Sequence, residues 1–452
     1  MRDKLFYIAL LVALPLAGQT DPNAASGAYE GPSVSSPGNP GIGTASGQPT
    51  DLRFWLGVSG TYDTGVQPLT TDAHGNLIHV PGILGMSFNG GVSGSHSWSH
   101  SQLSLSYRGD YRYYPNYTIY DGTNQALALD FSTQYSSRWV FDARLSGFTL
   151  LQSTGTVADA ATTTGGPIVF LPYNTRSNNV TGSGSLTYLQ SSSTSYTFGA
   201  SATDANYSSN GLTSFQGYNA MASVRHRISA ASSVGASYSV GYQTASGGAF
   251  TLNTQSFMGN YSTAFAHGWS FALAAGASIS NIKEAVGLQL AGLNVDGVPI
   301  TITIPGQVKI QNVNPVGNVG LTRQFQRGII YANGGQATGM GNGLIAGARD
   351  VYAGAGASYT GLRKWNFGID AHYYSLTSLG TTPAVSASAL FTSAHWFSGG
   401  TGFTYELMRY THLTGRFDMV SYSYAAPGVP SLIKRASLGL SFAPKDIPLS
   451  LW

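Results

Sequence analysis

The chain has 452 residues, of which 9 % are charged, 42 % hydrophobic and 12 % aromatic. Soluble domains average about 25 % charged residues, so an ordinary soluble surface is excluded, and the apolar content excludes disorder over most of the length. The net charge of +3 argues for no nucleic-acid partner, and with no Cys there is no disulfide, thiolate metal site, Cys nucleophile or lipoprotein anchor.

The first residues read as a secretory signal peptide, assigned to residues 1–19. Arg2 and Lys4 precede an apolar core from Leu5 to Leu16, too short for a membrane span, and Ala17–Gly18 supplies small residues for cleavage between Ala17 and Thr20. Residues 20–50 are Gly, Pro, Ser, Thr and Asn with almost no bulky apolar residue. They cannot bury enough surface to order themselves and read as a flexible periplasmic lead. The segment is too short and featureless for a plug domain.

From Leu52 onward, period-2 alternation recurs about every 22 residues. Leu52, Phe54, Leu56 and Val58 alternate with Arg53, Trp55, Gly57 and Ser59. Leu103, Leu105, Tyr107, Tyr111 and Tyr113 alternate with Ser104, Ser106, Arg108, Asp110 and Arg112. Leu127, Leu129, Phe131 and Tyr135 form another such run, and so do Val319 and Leu321. Phe367, Ile369, Ala371 and Tyr373 alternate with Asn366, Asp370, His372 and Tyr374. The polar faces hold too much Gly, Ser and Asn for the charged exterior of a soluble sheet. No segment after the leader has the roughly 20 apolar residues of a spanning helix. Few charges, many short alternating strands and no spanning helix describe a transmembrane β-barrel, with the apolar face toward lipid and the polar face toward the lumen.

The connections alternate in length. Tight turns fall near Ser97, Ser136, Ser192, Ala230, His267, Gln326, Leu362 and Tyr410. Longer polar connections fall near 63–81, 114–122, 153–177, 207–213, 245–249, 284–306, 338–349, 379–387 and 425–431. Eight turns and nine loops join about 18 strands, within a range of 16–20, in an all-β, antiparallel, up-and-down barrel over residues 51–452. The apolar run Pro167–Tyr173 inside one loop either folds inward and narrows the pore or packs on the rim. Asp296–Gly297 is a hairpin signal, and its flanks predict a hairpin extending beyond the membrane.

The alternation aims several ionisable residues inward. Arg108, Asp110 and Arg112 stand on the third strand, Asp130 on the fourth, and Asp142 and Arg144 on the fifth, as one wall. Asp370, His372, Glu406, Arg416, Asp418 and Arg435 come from the last strands, joined by Arg53 on closure. Arg225 and Arg227 face inward on the eighth. Two readings stand for these lumen residues. Opposed rows of Arg and carboxylate form a constriction that orients polar solutes and sets ion preference. Alternatively, they are pairs that satisfy one another. An 18-strand barrel is too wide to fill with side chains, which favours a channel for the set as a whole.

Tyr111, Tyr113, Tyr114, Tyr117 and Tyr120 cluster at the top of the third strand, and Trp98, Trp139, Trp269 and Trp365 sit beside short turns. This is the pattern of interfacial aromatic girdles. No run of in-facing aromatics marks a track for sugar rings. Motifs of catalysis are missing: there is no GxSxG, HExxH or P-loop. Asp370–His372 is the best acid–base pair, and its bland reading is a polar lumen contact.

At the C-terminus, Ala436, Leu438, Leu440 and Phe442 alternate with Ser437, Gly439 and Ser441, and Trp452 is the last residue. A final strand followed by a terminal aromatic resembles the assembly signal of bacterial outer-membrane β-barrels. Pro444 and Pro448 depart from that pattern. The resemblance is to a porin-like class and implies an outer-membrane location, the barrel assembly machinery, outer-membrane lipid and lipopolysaccharide as partners, and a possible homo-oligomer. The expected activity is passive diffusion of small polar solutes or ions through a charged aqueous lumen, without enzymatic chemistry, cofactor or metal. An export conduit for a surface polysaccharide and a structural or adhesive barrel are the alternatives.

Overall fold

The computed structural model describes residues 51–64, 82–115, 117–118, 121–152, 175–208, 213–245, 250–265, 268–295, 298–341, 346–380, 393–422, 432–444 and 447–448. The signal peptide, the lead, Pro167–Tyr173, Tyr120, Asp296–Gly297 and Trp452 lie outside the described residues.

The strands are β1 (Asp51–Asp63), β2 (Ile83–Ser97), β3 (Ser101–Tyr113), β4 (Gly122–Gln134), β5 (Trp139–Gln152), β6 (Thr175–Leu189), β7 (Thr194–Tyr207), β8 (Phe215–Arg227) and β9 (Ser232–Ala245). They continue as β10 (Phe250–Ala264), β11 (Trp269–Val295), β12 (Val298–Phe325), β13 (Gly328–Gly341), β14 (Ala346–Leu362), β15 (Trp365–Ser378), β16 (Ser393–Met408), β17 (Thr411–Tyr422) and β18 (Leu432–Phe442). A two-residue β19 (Ile447–Pro448) pairs with Asp51 and Leu52 at the foot of β1.

Each of the 18 long strands pairs antiparallel with its chain neighbours. The last meets the first from Leu56↔Phe442 to Asp63↔Arg435, so the sheet closes. Following register partners once around the wall returns to β1 displaced by 22 residues. With strands ~4.8 Å apart and a rise of ~3.3 Å per residue, that shear tilts the strands by about 40° and gives a backbone radius of roughly 18 Å.

All eight tight turns fall where the alternation breaks, on the end of the barrel that carries the foot of β1. Local hydroxyls hold them. Ser191 accepts from the N–H groups of Ser193 and Thr194, and Ser229 from those of Ala231 and Ser232. Two turns need left-handed backbone, at Gly268 (φ 76°) and Lys364 (φ 67°).

Burial is inverted relative to a soluble sheet. Leu56, Leu84, Phe257, Val313 and Ile369 are 60–71 % exposed, all at outward positions of the register. The inward positions carry Gly, Ser, Thr, Asn and the charges. Several inward side chains lie over a glycine on the next strand: Trp55 over Gly91, Tyr114 over Gly85, Tyr331 over Gly356 and Tyr352 over Gly335. A Cβ at any of these glycines would meet the aromatic side chain at 2.5–2.6 Å.

The hairpin read within 284–306 is present as two paired strands, β11 up to Val295 and β12 from Val298, and strand replaces the polar connection expected on either side of it. β11 and β12 stay paired from Trp269↔Arg323 to Val295↔Val298. The wall forks beside them. β12 pairs with β13 only from Phe325↔Gly328 up to Gly317↔Gln336. Beyond that point β13 continues with β14 alone, to Gly341↔Ala346.

Ile369 tests which face meets lipid. Ile369→Arg is expected to lower the stability of the barrel refolded in lipid vesicles by about 2–4 kcal/mol, the midplane cost of a cation in an outer-membrane barrel. Ser106→Arg, on the inward face of β3, should cost much less. Urea titrations of both variants measure the difference, and equal costs would reverse the assigned faces.

Candidate functional site: the charged inner wall

Strand parity decides which side chains reach the lumen. On β3 the exposed residues are Leu105, Tyr107, Tyr111 and Tyr113, so Arg108, Asp110 and Arg112 face inward. The same test places Asp130 on β4 and Asp142 and Arg144 on β5 on the inner face. Arg225 and Arg227 on β8, Asp370 and His372 on β15, and Glu406 on β16 also face inward. So do Arg416 and Asp418 on β17 and Arg435 on β18. Arg53 stands on that face by register, opposite Ser93.

The inner charges form three sets. The largest follows a single row of lateral neighbours: Asp370↔Gly400↔Asp418↔Arg435↔Asp63. Arg435 donates from Nε and Nη2 to Asp63 Oδ2 at 2.9 and 2.6 Å. The Asp63 side chain is 0 % exposed. Arg416 binds Asp418 at 2.7 Å and reaches Asp370 at 3.7 Å, and His372 Nε2 meets Asp370 Oδ2 at 3.5 Å. Gly400 makes this possible, because a Cβ there would meet Asp418 Oδ1 at 2.6 Å and Arg416 Nη2 at 2.9 Å. A second group stands on β3 and β4. Arg112 binds Asp110 at 3.2 Å, and Asn124 donates to the same carboxylate oxygen. A charged belt therefore crosses the closure from β15 to β1, and the apolar pair Ile83 and Tyr114 separates it from the Arg112–Asp110–Asn124 group on β3 and β4.

The third set lies on β4, β5 and β8. Arg144 meets Asp130 at 3.4 Å, with 42 % and 30 % of their side chains exposed, so water reaches this pair. Asp142 stands opposite Ser132. Arg225 donates to the hydroxyls of Ser233 and Ser262, and Arg227 caps the turn carbonyls of Ser229 and Ala230. Neither meets a carboxylate among the described residues. Glu406 stands opposite His412 beside the β16–β17 turn, apart from the belt. The ion pairs line an inner wall far too wide for them to fill.

Sequence reasoning missed four features. Asp63 was placed at the start of a loop, although continuing the odd positions of β1 from Arg53 reaches it. Asp350 on β14 and Glu284 on β11 also face inward, and Asp350 Oδ1 is buried with no hydrogen-bond partner among the described residues. In-facing aromatics do form a run. Tyr352, Tyr374, Trp396 and Tyr422 are lateral neighbours in one row, and Tyr374 stacks on Trp396 with centroids 5.5 Å apart. Trp396 is 3 % exposed, so its ring is packed into the wall and not presented to a solute.

The fourth feature is an apolar cluster on the inner face at the loop end. Phe250, Leu252 and Ile282 face inward, yet they are 4 %, 0 % and 1 % exposed. They are covered from inside the barrel. Leu379, just past β15, packs on them, and a Cβ at Gly347 (φ 68°) would collide with the Phe250 ring. Leu379 N–H donates to Gly347 at 2.9 Å, and Asn312 Nδ2 donates to the Leu379 carbonyl at 3.0 Å. Above the fork, the base of β14 and Leu379 thus lie over the inner wall of β10–β12.

No family model matches the chain, and no curated protein matches its sequence. Among solved structures, it is similar to Pseudomonas aeruginosa OccK2 in complex with glucuronate, with 8 % identity, 87 % of this chain and 97 % of that chain covered, and a TM-score of 0.40. It is similar to Acinetobacter baumannii OccAB1 at 10 % identity over 87 % and 96 % of the chains, with a TM-score of 0.39. It is also similar to the ferric-catecholate import receptor Fiu from E. coli K12 at 7 % identity over 86 % and 81 %, with a TM-score of 0.41. Likenesses this distant say nothing of what this chain carries.

Removing one partner of a buried ion pair leaves an uncompensated charge, which costs about 3–5 kcal/mol. Arg435→Ala should cost that much, while Arg435→Ala with Asp63→Ala should recover a large part. A double-mutant cycle by urea unfolding checks the coupling, and strict additivity would dissolve the pair.

Proposed function

We propose that the chain is an outer-membrane channel through which small polar solutes or ions diffuse passively. The carrying observation is the inverted closed barrel: exposed apolar side chains outside, and hydrogen-bonded charges inside a wall of roughly 18 Å radius. Outside the bilayer such a surface has no apolar solvent to meet. Inside it, every strand has both ladder neighbours, as spanning a hydrocarbon core requires.

The lumen acts through width and field. The belt across the closure carries both signs, so it orients dipolar solutes and rejects neither ion outright. The water-exposed Arg144–Asp130 pair and Arg108 bias the balance locally. The fold-over held by Leu379 on Phe250 narrows the loop end from within. Transport needs no covalent step, and the Asp370–His372 contact serves the ion-pair belt.

Single-channel recording in a planar bilayer tests this reading. Stable open steps are expected from folded protein, and silence from a verified folded sample would overturn the channel. Arg108→Ala with Arg144→Ala should shift ion preference toward cations. Phe250→Ala with Leu379→Ala should raise conductance with little change in preference, because it loosens an apolar restriction without touching a charge. Unchanged conductance would move the narrowest section elsewhere.

A further inference from the structure

Charge is segregated across the wall. The strand carboxylates Asp63, Asp110, Asp130, Asp142, Glu284, Asp350, Asp370, Glu406 and Asp418 all take inward positions of the register. Among the described strands, one carboxylate, Asp204, takes an outward position. The outward cations of the loop half are Arg176, Lys283, Lys309, Arg349 and Lys434. The lipid side at this end is therefore cationic.

Two of these cations stand directly opposite each other. Lys283 pairs with Lys309 across β11 and β12, both exposed, and neither bonds to any described residue. Like charges placed opposite one another on a sheet face destabilise it. The rows beneath them are graded. Asn281↔Gln311 come next, exposed, followed by Ile279↔Val313, 38 % and 67 % exposed, and then Ala277↔Pro315. The face is open on its β12 flank, because β13 leaves β12 at Gly317, while β10 stays paired with β11 as far as Glu284.

We propose that this face binds a phosphate-bearing glycolipid of the outer leaflet. The acyl chains lie on Ile279, Val313 and Pro315. The amides of Asn281 and Gln311 meet the sugar, and the two ammonium groups hold a phosphate. A bound phosphate removes the repulsion between the lysines, which gives the opposed pair a physical purpose. The inference rests on the outer-membrane placement above and is independent of conductance.

The test uses the full-length folded protein in detergent, titrated with diphosphoryl lipid A, with phosphatidylglycerol and with inorganic phosphate. Native mass spectrometry reads the bound fraction. Wild type should retain lipid A, and Lys283→Gln with Lys309→Gln should weaken it by roughly tenfold or more. A control with Arg363→Gln and Arg409→Gln, at the turn end, should bind as wild type. Exposed Lys→Gln changes spare the packing, and the heat-dependent gel shift of the folded barrel confirms folding. Equal binding by all three proteins overturns the site. Phosphatidylglycerol bound as tightly as lipid A overturns the glycolipid assignment. A lipid-free dimer lost in the double lysine variant would give the face to a second copy of the chain. Silent bilayer recordings with intact lipid A binding would sink the channel and leave this inference standing.

Discussion

Everything in this molecule depends on closing the hydrogen-bond ladder between β1 and β18. In hydrocarbon an unpaired backbone group costs several kcal/mol, so a sheet can span only if it has no edge. Closure fixes the shear, the shear fixes the tilt, and tilt with strand number fixes the radius. The charged belt crosses that seam. Arg435 on β18 clamps Asp63 on β1, and their 2.6 Å contact ties the two ends of the sheet with side chains where the backbone ties them already.

Closure also separates two design problems that a soluble sheet must solve together. The outer face needs only apolar bulk of the right height, and Phe, Leu, Val, Tyr and Ile supply it. The inner face has no core to fill, so it can hold side chains a core would reject. Even so, large inner side chains need room at the wall itself, because neighbouring strands lie only ~4.8 Å apart. Glycine supplies that room. Gly400 lets three charged groups from β15 and β17 meet across β16, as Gly91 seats Trp55 and Gly85 seats Tyr114. The glycine content is therefore a requirement of the ion-pair belt, and it explains why the strands look too weak for a globular sheet.

The fold was legible because its signal is local. Period-2 alternation names both faces of a strand, and turns held by Ser191 or Ser229 break it cleanly. The inward charges on β3, β5, β8, β15 and β17 followed from parity alone. The pairing among them did not. Which Arg meets which Asp depends on register, and register around a closed sheet is a collective property of eighteen strands. Asp63 was missed because its alternation ends beside a loop, and the Tyr352–Tyr374–Trp396–Tyr422 row because its members lie on four strands spread over some 70 residues. The inward fold-over of Leu379 was illegible for another reason. Its sequence is an ordinary loop start, and its burial comes from Phe250, Leu252 and Ile282 more than ninety residues away.

The fork between β12 and β13 joins the two ends of the functional reading. A wall that keeps its pairing to the rim presents the same profile all round. Here β12 stays with β11 and rises, while β13 leaves with β14. Gln336 donates to the Pro315 carbonyl at 2.7 Å, holding the crotch of the fork. The release of β13 leaves the base of β14 and Leu379 lying over the inner wall, the restriction proposed for the loop end. The same release bares the flank of β11–β12, which carries Lys283 and Lys309 on its outer face. One break in pairing thus shapes the lumen on one side and a lipid surface on the other. Restoring pairing there would alter both together, which sets this fork apart from an ordinary frayed edge.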